Sequence, residues 1–403
     1  MTSAENLSAS VDLAVVGAGI IGLATAHRYL ADHPGRRVLV LEAEAQPALH
    51  QTGRNSGVLH SGVYYRPGSA KAALAVAGRS SMVQFCRERG IAHEVCGKVI
   101  VAVAPSERDR LAALARRAAR NGVVAERIDA SRLAELEPAC AGVEALLVPG
   151  AGIVDYSAVC RALIDDIRAA GGELRTGTAV VGLARAAGGI RITTSRGDVE
   201  ARWLVNCAGL RCDQVADLAG AAGGYRIVPF RGEYYELVRQ RSHLVRNLIY
   251  PVPDPRFPFL GVHLTRMIDG AIHAGPNAVL ALAREGYRWH DISRAQLREH
   301  LANRGLWRLA RRHWRTAAGE VWRSLSKAAF TTALQRLVPA ITAEDLVRAE
   351  AGVRAQAMDH TGELEDDFAV VDAERSTHVL NAPSPAATSS LEIAKMVVGR
   401  IGR

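Results

Sequence analysis

The feature that most constrains the fold is a glycine-rich turn near the N-terminus, between a short apolar segment and a helical pattern. Asp12 to Val16 (D-L-A-V-V) is an apolar run of strand length, and G-A-G-I-I-G (Gly17 to Gly22) follows at once, before a helical pattern that continues through Leu30. A second apolar run, Arg37 to Leu41, ends at Glu42. Strand, glycine turn, helix and second strand make a complete β-α-β unit, which is typical of dinucleotide-binding proteins.

Each residue of this turn has an expected role. Gly17 makes the tight turn, Gly19 lets the backbone approach a pyrophosphate, and Gly22 lets the helix pack on the strand. The pyrophosphate should lie on the N-H groups that open the helix, those of Ile20 and Ile21.

Glu42 closes the second strand, 20 residues after Gly22. A carboxylate at this point can accept hydrogen bonds from a ribose hydroxyl. It would repel a ribose 2'-phosphate, so the sequence disfavours NADP at this site.

The stretch from His50 to Tyr65 (H-Q-T-G-R-N-S-G-V-L-H-S-G-V-Y-Y) has neither strand nor helix periodicity. Its glycines let the backbone pass close to a ligand, and short polar side chains can point at that ligand. We predict an ordered loop that contacts the cofactor through Thr52, Gly53, Asn55, Ser56 and Gly57.

Two later segments predict further cofactor contacts. Arg202 to Ala208 has a buried-strand pattern and leads through Gly209 into a helix, which would bring a second turn to the dinucleotide; an ordinary strand and helix is the alternative. The loop from Asn381 to Ser389 precedes a final helix predicted from Ser390 to about Gly399, whose N-terminus can bind an anion or a ring carbonyl. The predicted contacts are Val180, Ala208, Gly209, Pro383, Ser384, Ala386, Ala387 and Thr388.

Length and composition limit the class of protein. The 403 residues exceed one ordinary core, and 49% hydrophobic with 23% charged residues is typical of a globular protein. No apolar run reaches the ~20 residues that span a bilayer, and the first ten residues lack a signal-peptide pattern. We therefore expect a cytoplasmic protein.

The net charge is +9, from 50 Lys and Arg against 41 Asp and Glu. Such a charge favours anions, whether nucleic acid, acidic membrane or a small acidic substrate. The basic residues are spread and accompany no zinc site, helix-turn-helix signature or aromatic stacking motif, which disfavours nucleic acid.

Six cysteines are scattered along the chain. Cys207 and Cys212 have the C-x4-C spacing of flavoprotein disulfide reductases, but they do not lie beside the first glycine turn, and a second nicotinamide-binding fingerprint is missing. We expect free thiols and no metal site.

The segments together resemble the L-2-hydroxyglutarate oxidase or dehydrogenase family, within the D-amino-acid oxidase and glycine oxidase group. The resemblance covers nearly the whole chain and depends on Q-T-G-R-N-S-G-V-L-H-S-G-V-Y-Y, C-G-K, P-F-R-G-E-Y, P-D-P-R-F-P-F-L-G-V-H-L-T-R, G-P-N-A-V, G-V-R-A-Q and N-A-P-S-P-A-A-T. One departure is Thr361-Gly362, where the family usually has Asp-Gly; we expect it to change a turn and not the chemistry.

The resemblance implies non-covalent FAD, oxidation of a 2-hydroxy dicarboxylate to a 2-oxo acid, and electron transfer to a membrane quinone or to oxygen. The fold class it implies is α/β, with α+β in the second domain: a Rossmann-like FAD-binding domain interleaved with an antiparallel-sheet substrate domain. We predict the FAD-binding domain at 1-95, 145-225 and 348-403. The substrate domain then covers 96-144 and 226-347, with proline-containing strands at 225-285 and a helical segment at 293-346.

Removing hydride from a secondary alcohol beside a carboxylate requires a base and cationic anchors. His60 is the favoured base and His263 its competitor, with a tyrosine or no histidine as further alternatives. For the carboxylates, Arg354 occupies the place where related amine oxidases often carry a carboxylate-binding arginine, and Arg231 and Arg266 are candidates for the distal group. Hydroxyl donors would be Tyr64, Tyr65 or Tyr250.

The segment from Arg304 to Ala317 predicts an amphipathic helix with arginines on one side and Leu and Trp on the other. Packing of its apolar side on the core is the favoured interpretation, and contact with acidic lipid at the inner face of the cell membrane is the alternative. For the whole chain, an amine or amino-acid oxidase of the same fold, and a flavin-binding protein without turnover, also stay open.

Overall fold

The computed structural model describes residues 10–254 and 261–402, and the chain divides into two compact units. Unit 1 contains the chain up to Gly53, Tyr156–Val228 and the chain from Ala355. Unit 2 contains Arg54–Asp155 and Pro229–Arg354. Residues 255–260 of the quoted P-D-P-R-F-P-F-L motif and the first nine residues lie outside the described residues.

The described residues form 22 strands and 10 α-helices. The strands are β1 Val11–Val16, β2 Val38–Leu41, β3 Val58–Leu59, β4 His93–Glu94, β5 Lys98–Ala102, β6 Glu126–Asp129, β7 Glu144–Val148, β8 Gly152–Val154, β9 Glu173–Arg175, β10 Val180–Ala186, β11 Gly189–Thr194, β12 Gly197–Asn206, β13 Arg226–Gly232, β14 Tyr235–Leu237, β15 Leu248–Pro251, β16 His263–Arg266, β17 Ile272–Gly275, β18 Val279–Leu280, β19 Leu346–Arg348, β20 Gly352–Met358, β21 Ala369–Ala373 and β22 Ser376–Asn381. The helices are α1 Ile20–Asp32, α2 Ala70–Glu88, α3 Arg108–Arg120, α4 Ala130–Leu136, α5 Tyr156–Ala169, α6 Cys212–Leu218, α7 Arg294–Ala302, α8 Arg304–Leu325, α9 Lys327–Gln335 and α10 Ala386–Val398.

Unit 1 is built on a mixed sheet in the order β10-β11-β12-β1-β2-β9. The strands β12, β1, β2 and β9 run parallel, and β22 pairs in parallel with the end of β12. All four residues of β2 are buried, as expected for a parallel strand covered on both faces. Helices α5 and α10 both pack on α1. This arrangement confirms the predicted Rossmann-like domain.

Unit 2 contains a largely antiparallel sheet in the order β19-β14-β17-β16-β15-β5-β7-β6, in which β15 and β5 are the parallel pair. Because side chains alternate across a strand, β5 contributes Val99 and Val101 to one apolar cluster and Ile100 and Ala102 to another. A small sheet, β3-β8-β4, completes this unit. The predicted antiparallel-sheet domain is confirmed.

The predicted domain boundaries differ from the two units mainly at residues 54–95 and 145–155, which were predicted in the cofactor domain but belong to unit 2. Residues 348–354 differ in the same way, and residues 226–228 were predicted in the substrate domain but belong to unit 1. The physical reason is strand pairing, since β3 and β4 both pair with β8, whose last residue is Val154. Such long-range pairing leaves no local pattern in the sequence.

Most helix limits agree with the sequence patterns, with two exceptions. Helix α10 begins at Ala386, four residues before the predicted Ser390. The helical segment 293–346 contains three helices, α7, α8 and α9. Asn303 lies between α7 and α8 and caps α8 through its side chain, and Ser326 lies between α8 and α9 and caps α9 in the same way. None of the helices formed by the described residues is long and apolar enough to cross a membrane.

Candidate active site

The glycine turn between β1 and α1 has the geometry predicted for it. Gly17 has φ of +100°, and a Cβ there would lie 2.5 Å from the carbonyl oxygen of Cys207. A Cβ on Gly22 would lie 2.0 Å from the carbonyl oxygen of Gly17, so only glycine fits this close approach of helix and turn. Gly19 is less confined, because a Cβ there would meet only the Thr52 hydroxyl, at 3.3 Å.

The predicted loop residues Thr52 and Gly53 lie beside this turn, within unit 1. The Thr52 hydroxyl accepts a hydrogen bond from the Ile20 N-H at 3.1 Å, so it pairs with one of the amides that open α1. The Gly53 N-H donates to the carbonyl oxygen of His50. Ile21 lies in the same first turn and is half-buried.

Glu42 holds its carboxylate under the glycine turn. One oxygen accepts from the Ala18 N-H at 2.7 Å and the other from the Glu44 N-H at 2.9 Å. These two backbone amides fix the orientation of the carboxylate and leave each oxygen a further lone pair, which a ribose hydroxyl can use.

The second strand-glycine-helix turn lies next to the first, as predicted. Val16 and Asn206 are register partners where β1 and β12 end, and the Asn206 amide oxygen accepts from the Ala208 N-H at 3.1 Å. Gly209 follows with φ of +53°. Two parallel strands thus bring their carboxyl ends and following turns together, the usual location of a nucleotide in an open α/β sheet.

The remaining predicted contacts are divided between the units. In unit 1, Ala386 and Ala387 open α10, and Pro383 and Ser384 lie just before its N-cap residue, Pro385. Val180 packs against the apolar cluster of the sheet. Thr388 is fully buried and shares a 2.8 Å hydrogen bond with Tyr156, which gives it a structural role. Asn55, Ser56 and Gly57 belong to unit 2, where the Asn55 side chain accepts from the Gly57 N-H.

A second group of polar side chains lies within unit 2. Ile249 and Leu264 are register partners in the antiparallel pair β15-β16, so Tyr250 and His263 face each other across the strands. Their rings stack at 3.9 Å between centroids. His60 follows β3 and is half-buried, while His263 is 6% exposed.

Both histidines of this group are uncharged at neutral pH. Burial lowers the pKa of His60 to about 3, with further contributions from Lys98, His263 and Arg354. Burial also lowers the pKa of His263 to about 3, where Arg354 and Lys98 again act in the same direction. A neutral imidazole can accept a proton, as the predicted base must.

Of the three predicted arginines, Arg354 belongs to this group. Its charge lowers the pKa of both histidines. Burial raises the pKa of Tyr234, and the hydrogen bond between Arg354 and the Tyr234 hydroxyl partly offsets this rise. Sequence reasoning did not identify Tyr234. Burial and the neighbouring Tyr250 and Tyr65 place the pKa of Tyr64 well above its ordinary value, so Tyr64 is a hydroxyl donor.

Arg231 and Arg266 are already paired with protein carboxylates. Arg231 is fully buried, contacts Glu233 at 3.2 Å and lies over the Trp289 ring. Arg266 contacts Glu94 at 2.6 Å. Neither guanidinium is available as a simple cation for a distal carboxylate, which weakens the sequence prediction for both.

Lys98 is a member of this group that sequence reasoning missed. It opens β5, is 1% exposed, and its Nζ lies 4.7 Å from the ring centroids of both Tyr64 and Tyr250. A lysine that opens an otherwise apolar strand, K-V-I-V-A, was the available signal.

All six cysteines are free, which confirms the expectation for the C-x4-C pair. Burial raises the pKa of the Cys207 thiol to about 12, and the Cys212 thiol donates to the carbonyl oxygen of Leu380. The Cys207 thiol therefore lacks the low pKa of a redox-active cysteine.

Comparison with known proteins gives consistent results. Residues 12–400 match the family described as DAO, FAD dependent oxidoreductase. The chain is 46% identical over 385 residues to L-2-hydroxyglutarate dehydrogenase of Indibacter alkaliphilus, covering 95% of this chain and 96% of that protein. It is 44% identical over 391 residues to the enzyme of the same name from Escherichia coli strain K12, covering 97% and 93%.

Among solved structures, FAD-bound L-alpha-glycerophosphate oxidase from Mycoplasma pneumoniae matches with a TM-score of 0.80 at 21% identity, covering 97% of this chain and 94% of that one. The fold is therefore that of the FAD-dependent oxidoreductases, and the family match indicates FAD as the cofactor. The chain belongs to the L-2-hydroxyglutarate dehydrogenase family of FAD-dependent oxidoreductases.

Proposed function

We propose that this enzyme oxidises L-2-hydroxyglutarate to 2-oxoglutarate and holds its FAD without a covalent bond. The observation that carries the proposal is the polar group of unit 2, in which two neutral histidines accompany Arg354 and hydroxyl donors. A base next to a cation suits a 2-hydroxy carboxylate, and the relatives at 44% and 46% identity bear the name of this activity.

The residues of unit 1 fit the dinucleotide. A Cβ at Gly17 or Gly22 would collide with backbone carbonyl oxygens, so the tight turn before α1 requires glycine at both positions. We expect the pyrophosphate at the N-terminus of α1, beside this turn. When bound, FAD supplies the acceptor for the substrate hydride.

The raised pKa of the Cys207 thiol disfavours this cysteine as a point of covalent attachment for the flavin. Acid precipitation should therefore release all the flavin into the supernatant; flavin in the pellet would contradict this part.

We assign proton removal to His60. It is half-buried and can be reached by a substrate, whereas His263 is 6% exposed and covered by Tyr250. Arg354 is exposed and can bind the carboxylate next to the hydroxyl, with Tyr234 holding its guanidinium.

Anaerobic titration tests the activity. L-2-hydroxyglutarate should bleach the flavin band stoichiometrically, while D-2-hydroxyglutarate, D-amino acids, glycine and sarcosine should not. Bleaching by an amine and not by the hydroxy acid would replace the proposal with the amine oxidase alternative.

We further propose that α8 of unit 2 contacts an acidic phospholipid surface and that a membrane quinone receives the electrons. Trp307, Trp314 and Trp322 are 50%, 61% and 64% exposed, so these three rings are not packed in the core. The arginines of the helix are also exposed, namely Arg304, Arg308, Arg311, Arg312 and Arg315. Exposed tryptophan with arginine suits an interface with anionic lipid.

Vesicle cosedimentation tests this contact. The holoenzyme should bind vesicles with phosphatidylglycerol and not pure phosphatidylcholine, and binding should fall when Trp307 and Trp314 become Ser. The matched control is Val124→Ser, another exposed apolar residue of unit 2. Equal retention by both kinds of vesicle, or turnover with oxygen as fast as with a soluble quinone, would contradict the proposal.

A further inference from the structure

Lys98 is a buried cation without a counter-ion among the residues that the structure describes. Its Nζ is enclosed and has no hydrogen-bond partner among them. The faces of Tyr64 and Tyr250 stabilise an ammonium group in part, through their negative quadrupoles. The rings do not accept conventional hydrogen bonds from its N-H groups, and burying an ammonium whose N-H groups have no acceptor costs free energy. The arrangement is therefore incomplete until an anion arrives.

The surroundings of Lys98 carry an excess of positive charge. The charged groups that act on His60 and His263 are Lys98 and Arg354, and no carboxylate contributes to the shift of either histidine or of Lys98. The other two arginines predicted as anchors, Arg231 and Arg266, already have Glu233 and Glu94. A substrate with two carboxylates thus meets Lys98, whose Nζ has no hydrogen-bond partner among the described residues, together with Arg354.

We propose that Lys98 binds a carboxylate of the substrate, as the second cationic anchor beside Arg354. This rests on the proposed oxidation of a 2-hydroxy dicarboxylate. The ammonium gains its ion pair only in the complex, and the tyrosine rings on either side hold Nζ in place before the substrate binds.

Lys98 should also make substrate binding depend on pH. Burial lowers the pKa of Lys98 to about 7. The neighbouring histidines and tyrosines do not titrate in this range, because the pKa values of His60 and His263 are about 3 and those of Tyr64, Tyr234 and Tyr250 are raised. Arg354 is the other cationic side chain of this group. A bound carboxylate stabilises the ammonium form and raises its pKa, so binding above pH 7 takes up a proton and weakens as the pH rises.

The first test uses Lys98→Met, which keeps the length of the side chain in an apolar setting and should keep the fold. Glutarate, a dicarboxylate without the hydroxyl, is the probe, and its Kd for the FAD-loaded enzyme is measured by calorimetry. The Kd should rise by at least about 30-fold, since loss of one partner of a buried charged pair has effects of this size. Lys327→Met, the same change at an exposed position of α9, should leave the Kd unchanged.

L-2-hydroxypentanoate identifies the carboxylate, because it has a methyl group in place of the distal one. If Lys98→Met raises the KM for L-2-hydroxyglutarate alone, Lys98 binds the distal carboxylate; if it raises both KM values, Lys98 binds the carboxylate next to the hydroxyl. Either result supports the anchor. Unchanged KM values overturn it.

A second measurement needs no variant. Glutarate binding at pH 8, measured in two buffers of different ionisation enthalpy, should take up close to one proton per site, and the Kd should rise about tenfold per pH unit well above 7. If the wild-type enzyme oxidises L-2-hydroxyglutarate but binds glutarate without proton uptake, the role of Lys98 is wrong and the proposed function stands. If it neither oxidises L-2-hydroxyglutarate nor binds glutarate, the proposed function itself fails.

Discussion

The imidazole of His263 stacks on the ring of Tyr250 and forms a hydrogen bond through Nδ1 to the carbonyl oxygen of Gly261, at 2.9 Å. A carbonyl oxygen can only accept, so Nδ1 carries the proton. Because the low pKa keeps the ring neutral, Nε2 is then an acceptor. This tautomer makes His263 a chemically competent base, in competition with the more accessible His60.

Replacing each histidine separately decides between them. His60→Ala should slow flavin bleaching by L-2-hydroxyglutarate at least ~100-fold, the low end of acid and base contributions. His263→Ala should have a smaller effect, since the Tyr250 ring covers His263. Stopped-flow reduction under anaerobic conditions measures both rates. The reverse order would move the base to His263, and near-normal rates in both would exclude a histidine.

Arg354→Lys should raise the KM more than it lowers kcat. Lysine keeps the charge and loses the fork that matches a carboxylate, so binding weakens while the base stays in place. Steady-state kinetics at several substrate concentrations give the two constants. An unchanged KM would mean that the carboxylate is bound elsewhere.

Arg231→Met should lower the melting temperature with little change in the KM of the folded fraction. The change leaves Glu233 buried without its cation, and breaking such a pair costs about 3–5 kcal/mol. Thermal unfolding together with kinetics separates the two effects. A large rise in KM at an unchanged melting temperature would restore Arg231 as a substrate anchor.

Gly22→Ala should reduce the FAD content and the melting temperature, because the added Cβ would lie 2.0 Å from the carbonyl oxygen of Gly17. Gly319→Ala is the matched control in another helix, where the nearest atoms are the guanidinium nitrogens of Arg323 at 3.8 Å. This control should gain about 0.5–1 kcal/mol from helix propensity. The absorbance ratio at 450 and 280 nm reports the flavin. Full flavin binding by the first variant would contradict the packing role.

The protein should lose stability as the pH falls below about 6.5. His378 is fully buried between Asn206 and Ser376, and burial lowers its pKa to about 4. The unfolded chain takes up a proton near pH 6.5 and the folded chain does not, so each pH unit between 6.5 and 4 costs about 1.4 kcal/mol for this residue, and His60 and His263 act alike. The melting temperature should fall as the pH is lowered from 7 to 4.5. A melting temperature that does not change over this range would contradict the prediction.

The sequence predicted features whose physical cause is local. Gly17 to Gly22 identified the first turn because the spacing of the three glycines between a strand pattern and a helix pattern is visible in a short stretch of sequence, and the Gly22 Cβ would meet Gly17 itself. The end of β12 was predicted as a second turn because a buried strand that leads into Gly209 is visible as a pattern.

Other features depend on residues far apart in the chain. Arg266 looked available because its partner, Glu94, lies 172 residues away. Lys98 was overlooked because a lysine at the start of a strand usually reaches solvent, and only the three-dimensional arrangement places Tyr64 and Tyr250 around it. The start of α10 was placed too late because Pro383 and Pro385 suggested a longer loop.

The position of β12 has a consequence for synthesis on the ribosome. It pairs with β1 near one end of the chain and with β22, Ser376–Asn381, near the other. In contrast, every residue of unit 2 has been synthesised once the ribosome has added Arg354. Synthesis adds about 5–20 residues per second, so unit 2 can complete its sheet while β1 and β12 still lack β22. A chaperone would therefore meet a nascent chain in which unit 1 is the last to complete its sheet.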